Sequence, residues 1–214
     1  MLKLAACAAL GFAAGIALPT NSASKPVAVP KASAAVRVVM SNGLGSGTSI
    51  GNGNILTAAH VVGAESAAKI VLDDGKTVEG RVVWTSKTYD VALIHVDGKF
   101  NAKRAYIDCR NPRIGEAVHE DGNPAGMKFI HMSGRVSGNV QEYGPQWKSA
   151  YTVDMSVISG MSGGGLLNDA GELVGVVVGA MDPYEGKNDA HMAVGTIGFV
   201  VPSSAVCLLM GRSQ

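Results

Sequence analysis

The chain is expected to be all-β, with two six-stranded antiparallel β-barrels joined by one linker and followed by a short C-terminal helix. Three observations lead there. Short runs rich in β-branched residues recur at close spacing, separated by Gly, Asn and Asp. The polar stretch 101–113 divides those runs into two sets of six, and only residues 203–210 have a helical pattern. Closely spaced strands with turn chemistry between them favour antiparallel barrels over alternating helix and strand units. With 214 residues, 47% of them hydrophobic, there is apolar matter for two small barrels sharing an interface.

Taken in order, the chain opens with Met1-Leu2-Lys3, an apolar run to Leu18 and then small residues, the pattern of a signal peptide over 1–23 with cleavage after Ala17, Ser22 or Ala23. The match of Leu4-Ala5-Ala6-Cys7 to a lipoprotein box is accidental, because the six residues before Cys7 leave no room for a signal helix. Nothing after Leu18 is long or apolar enough to cross a bilayer, so the expected location is secreted or periplasmic, without stable membrane association once the leader is removed, an uncleaved N-terminal anchor being the less favoured alternative. Residues 24–35 lack any period and read as a linker or mature tail. The folded part is then 36–214, divided into an N-terminal barrel (36–100), a linker (101–113) and a C-terminal barrel (114–214). Strands are expected at 37–40, 47–50, 54–58, 69–72, 77–84 and 91–96, with Asp74-Gly75 as a hairpin turn, and at 117–120, 128–135, 149–154, 164–167, 173–179 and 196–201, with a turn at 168–171.

Charge excludes some functions. Lys and Arg number 18 against 17 Asp and Glu, with no basic cluster, so no nucleic acid or anionic surface is implied as partner. His95, His119, His131 and His191 lack metal-ligand spacing, and no metal is expected. The glycine-rich stretch 43–53 has no phosphate-loop Lys-Ser/Thr pair and reads as a hairpin turn, while Trp84 and Trp147 read as packing residues. Cys109 and Cys207 would remain in an exported chain either as a disulfide or as two buried thiols.

Three segments place a chemically capable residue beside small or strand-forming ones: Leu56-Thr57-Ala58-Ala59-His60, Tyr89-Asp90-Val91-Ala92-Leu93, and Ser159-Gly160-Met161-Ser162-Gly163-Gly164-Gly165. A serine hydroxyl needs a base to become nucleophilic, and the base needs an acid that fixes its tautomer and stabilises its protonated form. His60 and Asp90 can supply those roles to Ser162. Charge developing on a carbonyl oxygen must meet fixed donors, and the backbone N–H groups of Gly160 and Ser162 suit that oxyanion hole. Gly-x-Ser-x-Gly also fits the nucleophile elbow of α/β-hydrolases, but there the acid and the His follow the Ser, whereas here only His191 follows it.

These residues carry a resemblance to trypsin-like serine peptidases, especially the bacterial HtrA-type protease domain. Thr57-Ala58-Ala59-His60, Asp90-Val91-Ala92-Leu93, Gly122-Asn123-Pro124, Gly160-Met161-Ser162-Gly163-Gly164, Gly171-Glu172-Leu173-Val174-Gly175 and Gly198-Phe199-Val200-Val201-Pro202 look like that family's markers in its order, over about residues 36 to 210. The spacings of 30 residues from His60 to Asp90 and 72 from Asp90 to Ser162 are of the kind a compact member has. The resemblance implies a serine endopeptidase that hydrolyses polypeptides through an acyl-enzyme on Ser162, without cofactor. It also implies a specificity pocket near Ser156–Val157, Val177, Val178, Gly179, Ala180 and 197–199, uncharged and suited to a small or medium apolar side chain, and a Cys109–Cys207 bridge between linker and final helix. Asp154 is a candidate to hold the active-site turn through backbone bonds. Two departures stand out. Met161 replaces the Asp by which digestive members sense a newly cut N-terminus, so activity without that processing is expected. The chain stops at Gln214, where many HtrA proteins continue into PDZ domains, so regulation by such a module is not expected. The rival readings are a catalytically silent trypsin-like binding module and an esterase or acyl transferase using the same triad.

Overall fold

The computed structural model describes residues 33–181 and 197–211. The expected leader, most of the expected tail and His191 lie outside the described residues.

The first six strands close into a barrel. They are β1 (Ala35–Met40), β2 (Gly43–Gly51), β3 (Asn54–Thr57), β4 (Ala67–Val71), β5 (Thr77–Ser86) and β6 (Val91–His95), in the order β1-β2-β3-β6-β5-β4, with every pair antiparallel. Alternation of side chains across the strands turns Val36, Val38, Ile55, Ile70 and Ile94 into the barrel interior. Between β3 and β4 lies a single helical turn, α1 (Ala59–Val62), too short to impose a readable period on the sequence.

The second set differs from the expected six-stranded closed barrel. It is an eight-stranded sheet formed by β7 (Tyr106–Ile107), β8 (Ala117–Gly122), β9 (Ile130–Arg135), β10 (Gln141–Tyr143), β11 (Trp147–Val153), β12 (Gly165–Asn168), β13 (Glu172–Ala180) and β14 (Gly198–Pro202). Its path is β10-β11-β14-β13-β12-β8-β9, and β7, inside the expected linker, pairs in parallel with β13. Just past the end of β9, Val136 forms one isolated bridge to Val153 of β11. The Ser137 and Gly138 N–H groups share the Thr152 carbonyl at 2.8 and 3.3 Å, the Asp154 N–H donates to the Arg135 carbonyl at 3.0 Å, and the Arg135 N–H goes to the Asp154 side chain. Asp154 therefore ties β9 to the end of β11.

A third apolar layer joins the halves, with Ile50, Leu56, Ala58, Val91 and Leu93 from the barrel against Leu173, Val176, Val178, Phe199 and Val201 from the sheet. The closing helix α2 (Ser203–Leu209) docks on the linker. The Ser203 hydroxyl donates to the Asp108 carbonyl, Ser204 Oγ donates to Asn111 Oδ1 at 2.5 Å, and Cys207 is bonded to Cys109 with Cα atoms 5.8 Å apart. No helix among the described residues is long and apolar enough to cross a membrane.

Candidate active site

His60 projects from α1, directly after a barrel strand, and Asp90 precedes β6, which pairs with β3. The pairing brings the two together although 30 residues separate them. Asp90 has a backbone φ of 52°, and its carboxylate reaches back over α1. Oδ1 accepts the His60 backbone N–H at 2.9 Å, Oδ2 lies 2.7 Å from Nδ1 of the ring, and the Asp90 carbonyl accepts the Ala59 N–H at 3.1 Å. With Nδ1 engaged by the carboxylate, the hydrogen on the neutral ring sits there and Nε2 is left as an acceptor. The Asp90 side chain is 14% exposed and that of His60 47%, so the pair presents the imidazole to solvent and keeps the carboxylate covered. Trp147, expected only to pack, covers it: the indole N–H approaches Asp90 Oδ2 at 3.5 Å while the ring stacks on Phe199 with centroids 4.9 Å apart.

Ser162 comes from the other half, in the turn before β12. A cleft of about 450 Å³ is lined by His60, Ser159, Gly160 and Ser162 together with residues 40–44 and 61–65. Among the described residues no hydrogen bond joins Ser162 Oγ to His60 Nε2, but both face this cleft, and such contacts commonly tighten when a ligand arrives.

The turn itself is held from three sides. Gly160 and Gly163 have φ of 97° and 87°, conformations that side chains resist, and a Cβ on either would run into backbone oxygens of Asn123 or Ser46. Gly163 N–H donates to the Val177 carbonyl at 2.7 Å and Val177 N–H to the Gly164 carbonyl at 2.9 Å, which fixes the turn to β13. From the barrel, the Ser46 N–H donates to the Ser162 carbonyl at 2.8 Å and Ser46 Oγ to the Gly160 carbonyl at 2.8 Å, while Thr48 Oγ1 accepts the Gly165 N–H at 2.7 Å. Ser46 Oγ also accepts two bonds from Asn123, from its backbone N–H and its Nδ2, each at 3.0 Å.

The orientation of the donors follows from these contacts. The Ser159 carbonyl accepts the Ala125 N–H at 2.7 Å, and in a trans peptide the N–H points opposite to the carbonyl, so the Gly160 N–H turns away from Ala125. Among the described residues neither the Gly160 nor the Ser162 N–H is spent on a protein acceptor.

Of the residues expected in the specificity pocket, Val177 and Val178 are buried, Gly179 and Ala180 half-buried, and β13 pairs Gly179 with Phe199 and Ala180 with Gly198. Val157 fills the space in front of Gly198, its Cγ2 lying 2.5 Å from where a Cβ would be, and Trp147 lies against Gly179. Ser156 is exposed. Ser46 and Thr48 are the structural contributors that the sequence reading missed. The signal for them is two hydroxyl residues at strand period in Gly45-Ser46-Gly47-Thr48, buried on one face of β2.

A closed barrel against a second β-sheet, with a His–Asp pair and a glycine-flanked Ser facing one cleft, defines the class, and the chain belongs to the trypsin-like peptidase family, whose domain model matches residues 45–176. Its relatives are of the HtrA type. It is 33% identical over 172 residues to the periplasmic serine endoprotease DegP of Salmonella typhimurium, covering 76% of this chain and 34% of that protein. It is 28% identical over 168 residues to the Do-like serine protease HtrA of Lactobacillus helveticus, covering 76% and 40%. The chain thus spans 34% to 40% of the length of these relatives. Among solved structures, the inactive form of protease Rv3671c from Mycobacterium tuberculosis matches with a TM-score of 0.69 at 25% identity, over 83% of this chain and 87% of that one. The serine endoprotease from Yersinia pestis matches with 0.67 at 28% identity, over 84% and 62%.

Proposed function

We propose that the chain is an exported serine endopeptidase in which His60 is general base and acid, Asp90 the orienting acid and Ser162 the nucleophile, with the N–H groups of Gly160 and Ser162 as the oxyanion hole. The observation that carries the reading is the pairing of an engaged His60–Asp90 couple with two unspent N–H donors on the same cleft as Ser162. His60 Nε2 takes the Ser162 proton as Oγ attacks the scissile carbonyl, and the oxygen of the tetrahedral intermediate is received by the two N–H groups. His60 then returns the proton to the leaving amine, and water releases the acyl group by the same steps reversed.

Val157 standing in front of Gly198, and Trp147 lying against Gly179, support cleavage after a small apolar residue. Export through the leader 1–23, to a periplasm or beyond, has support from the periplasmic DegP relative. The test is labelling of the mature protein with a fluorophosphonate probe. An adduct on Ser162 that vanishes in both Ser162→Ala and His60→Ala is expected; folded wild-type protein that takes no label would favour a silent binding module.

A further inference from the structure

Among the described residues four buried side-chain polar atoms lack a hydrogen-bond partner: Arg37 Nε, Ser49 Oγ and both carboxyl oxygens of Glu120. Glu120 is the costly case. Its side chain has no exposure at all, and an unpaired buried carboxylate is among the least favourable groups a protein interior can hold. No ion pair among the described residues includes it.

Its place in the fold gives the group a use. Val118, Glu120 and Gly122 face inward from β8, and the Glu120 carboxyl reaches the back of the turn that carries Ser162. Oε1 lies 2.6 Å from where a Gly122 Cβ would be and occupies the space in front of Gly164 that a Cβ there would need. The Met161 carbonyl oxygen lies 3.0 Å from that same Gly164 position. The charged group acting on Glu120 is Asp121, its neighbour on β8; residues 160–165 carry no charge, the cross-strand partner on β9 is Met132, β2 contributes the uncharged Ser46 and Thr48, and Arg37 of β1, which also packs on β8, turns its Nη1 to the Gly126 carbonyl. Burial first, and then Asp121, push the Glu120 carboxyl well above the usual carboxylate range. A carboxyl kept as the acid carries an O–H donor, and the neighbouring acceptor is a carbonyl. Met161 O already accepts the Gly164 N–H at 2.9 Å and has a second lone pair free.

We infer that Glu120 is a positioning residue of the nucleophile turn, donating its carboxylic O–H to the Met161 carbonyl. That carbonyl is the other end of the peptide whose N–H belongs to Ser162. Anchoring it fixes the direction of the N–H on the opposite side, and a second bond accepted by the oxygen polarises the amide and strengthens its N–H as a donor. The inference rests on the peptidase reading above and adds a support for its oxyanion hole from behind, out of reach of substrate.

Two measurements test it. In a Ser162→Ala background, the infrared difference spectrum between the protein and its Glu120→Gln variant at neutral pH is expected to contain the C=O stretch of a protonated carboxylic acid; a carboxylate band in its place overturns the inference. In active protein, Glu120→Gln keeps an N–H donor at the site and is expected to lower kcat by about fivefold or less. Glu120→Leu keeps the bulk without the donor and is expected to lower kcat by about 10- to 100-fold with little change in KM, less than loss of an oxyanion donor outright. Equal kcat in Glu120→Leu and wild type, or an equal loss in both variants, overturns the role. Wild-type protein that takes no fluorophosphonate label overturns the peptidase reading and this role with it, whereas labelled protein with a carboxylate band overturns this inference alone.

Discussion

A carboxyl group whose pKa is raised by folding holds its proton more tightly in the folded chain than in the unfolded one. For Glu120 the stabilisation is fully present below the unfolded value near 4.5 and is lost as pH rises toward the raised folded value. Glu120→Gln does not titrate, so comparing it with wild type isolates this contribution. The wild-type Tm is expected to fall relative to that of Glu120→Gln by several degrees between about pH 5 and about pH 8, as the slope can reach about 1.4 kcal/mol per pH unit. Thermal melts across that range check it, and parallel curves would remove the buried acid. Nothing in Val118-His119-Glu120-Asp121 marks residue 120 as buried, because a Glu on a half-exposed strand would ordinarily face water. Its inward position depends on register against β12 and β9, which local sequence does not encode. His60, Asp90 and Ser162 stood out as candidates for another reason: each sits in a short segment of small or strand-forming residues, and their order along the chain argued against the α/β-hydrolase reading.

At the scale of elements, most longer strands were readable from alternation, and the missed pieces are the two-residue β7, the three-residue β10, the single turn α1 and the first half of β2, since its glycines at Gly43–Gly51 read as a hairpin turn but form strand. Openness of the second sheet was not readable either, since closure depends on whether β9 and β11 share a ladder, and their contact by one bridge, Val136 to Val153, is a long-range pairing that local sequence does not encode. The link between α2 and the linker gives a prediction of its own. Cys109 and Cys207 span 98 residues, and a cross-link of that length stabilises a fold by roughly 2–4 kcal/mol. Thiol titration of the unfolded, unreduced protein should find none if the leader has been removed and one, Cys7, if it is retained. Reduction should add two in either case and lower the Tm. Two further thiols before reduction would mean that the bridge does not form.

On the scale of the whole molecule, the expected chemistry is divided between halves: the closed barrel supplies His60 and Asp90, and the open sheet supplies Ser162 with its turn. The separation of base and nucleophile is therefore set by the apolar layer between them and by the Ser46 and Thr48 contacts that cross it. This predicts that cavities of similar size have unequal consequences. Leu56 lies in the joining layer and Ile70 inside the barrel, and both are fully buried. Truncating either to Ala should cost about 2–5 kcal/mol of stability, because each removes a comparable buried aliphatic group. At a temperature where both variants remain folded, Leu56→Ala should also lower kcat/KM, by about tenfold, as the halves settle toward the cavity and carry His60 and Ser162 out of register. Ile70→Ala, whose cavity opens within one half, should keep kcat/KM within about twofold of wild type. Paired melts and peptide-hydrolysis assays on the two variants decide it; equal kinetic losses would place control of the site in the local turn contacts instead of the layer between the halves.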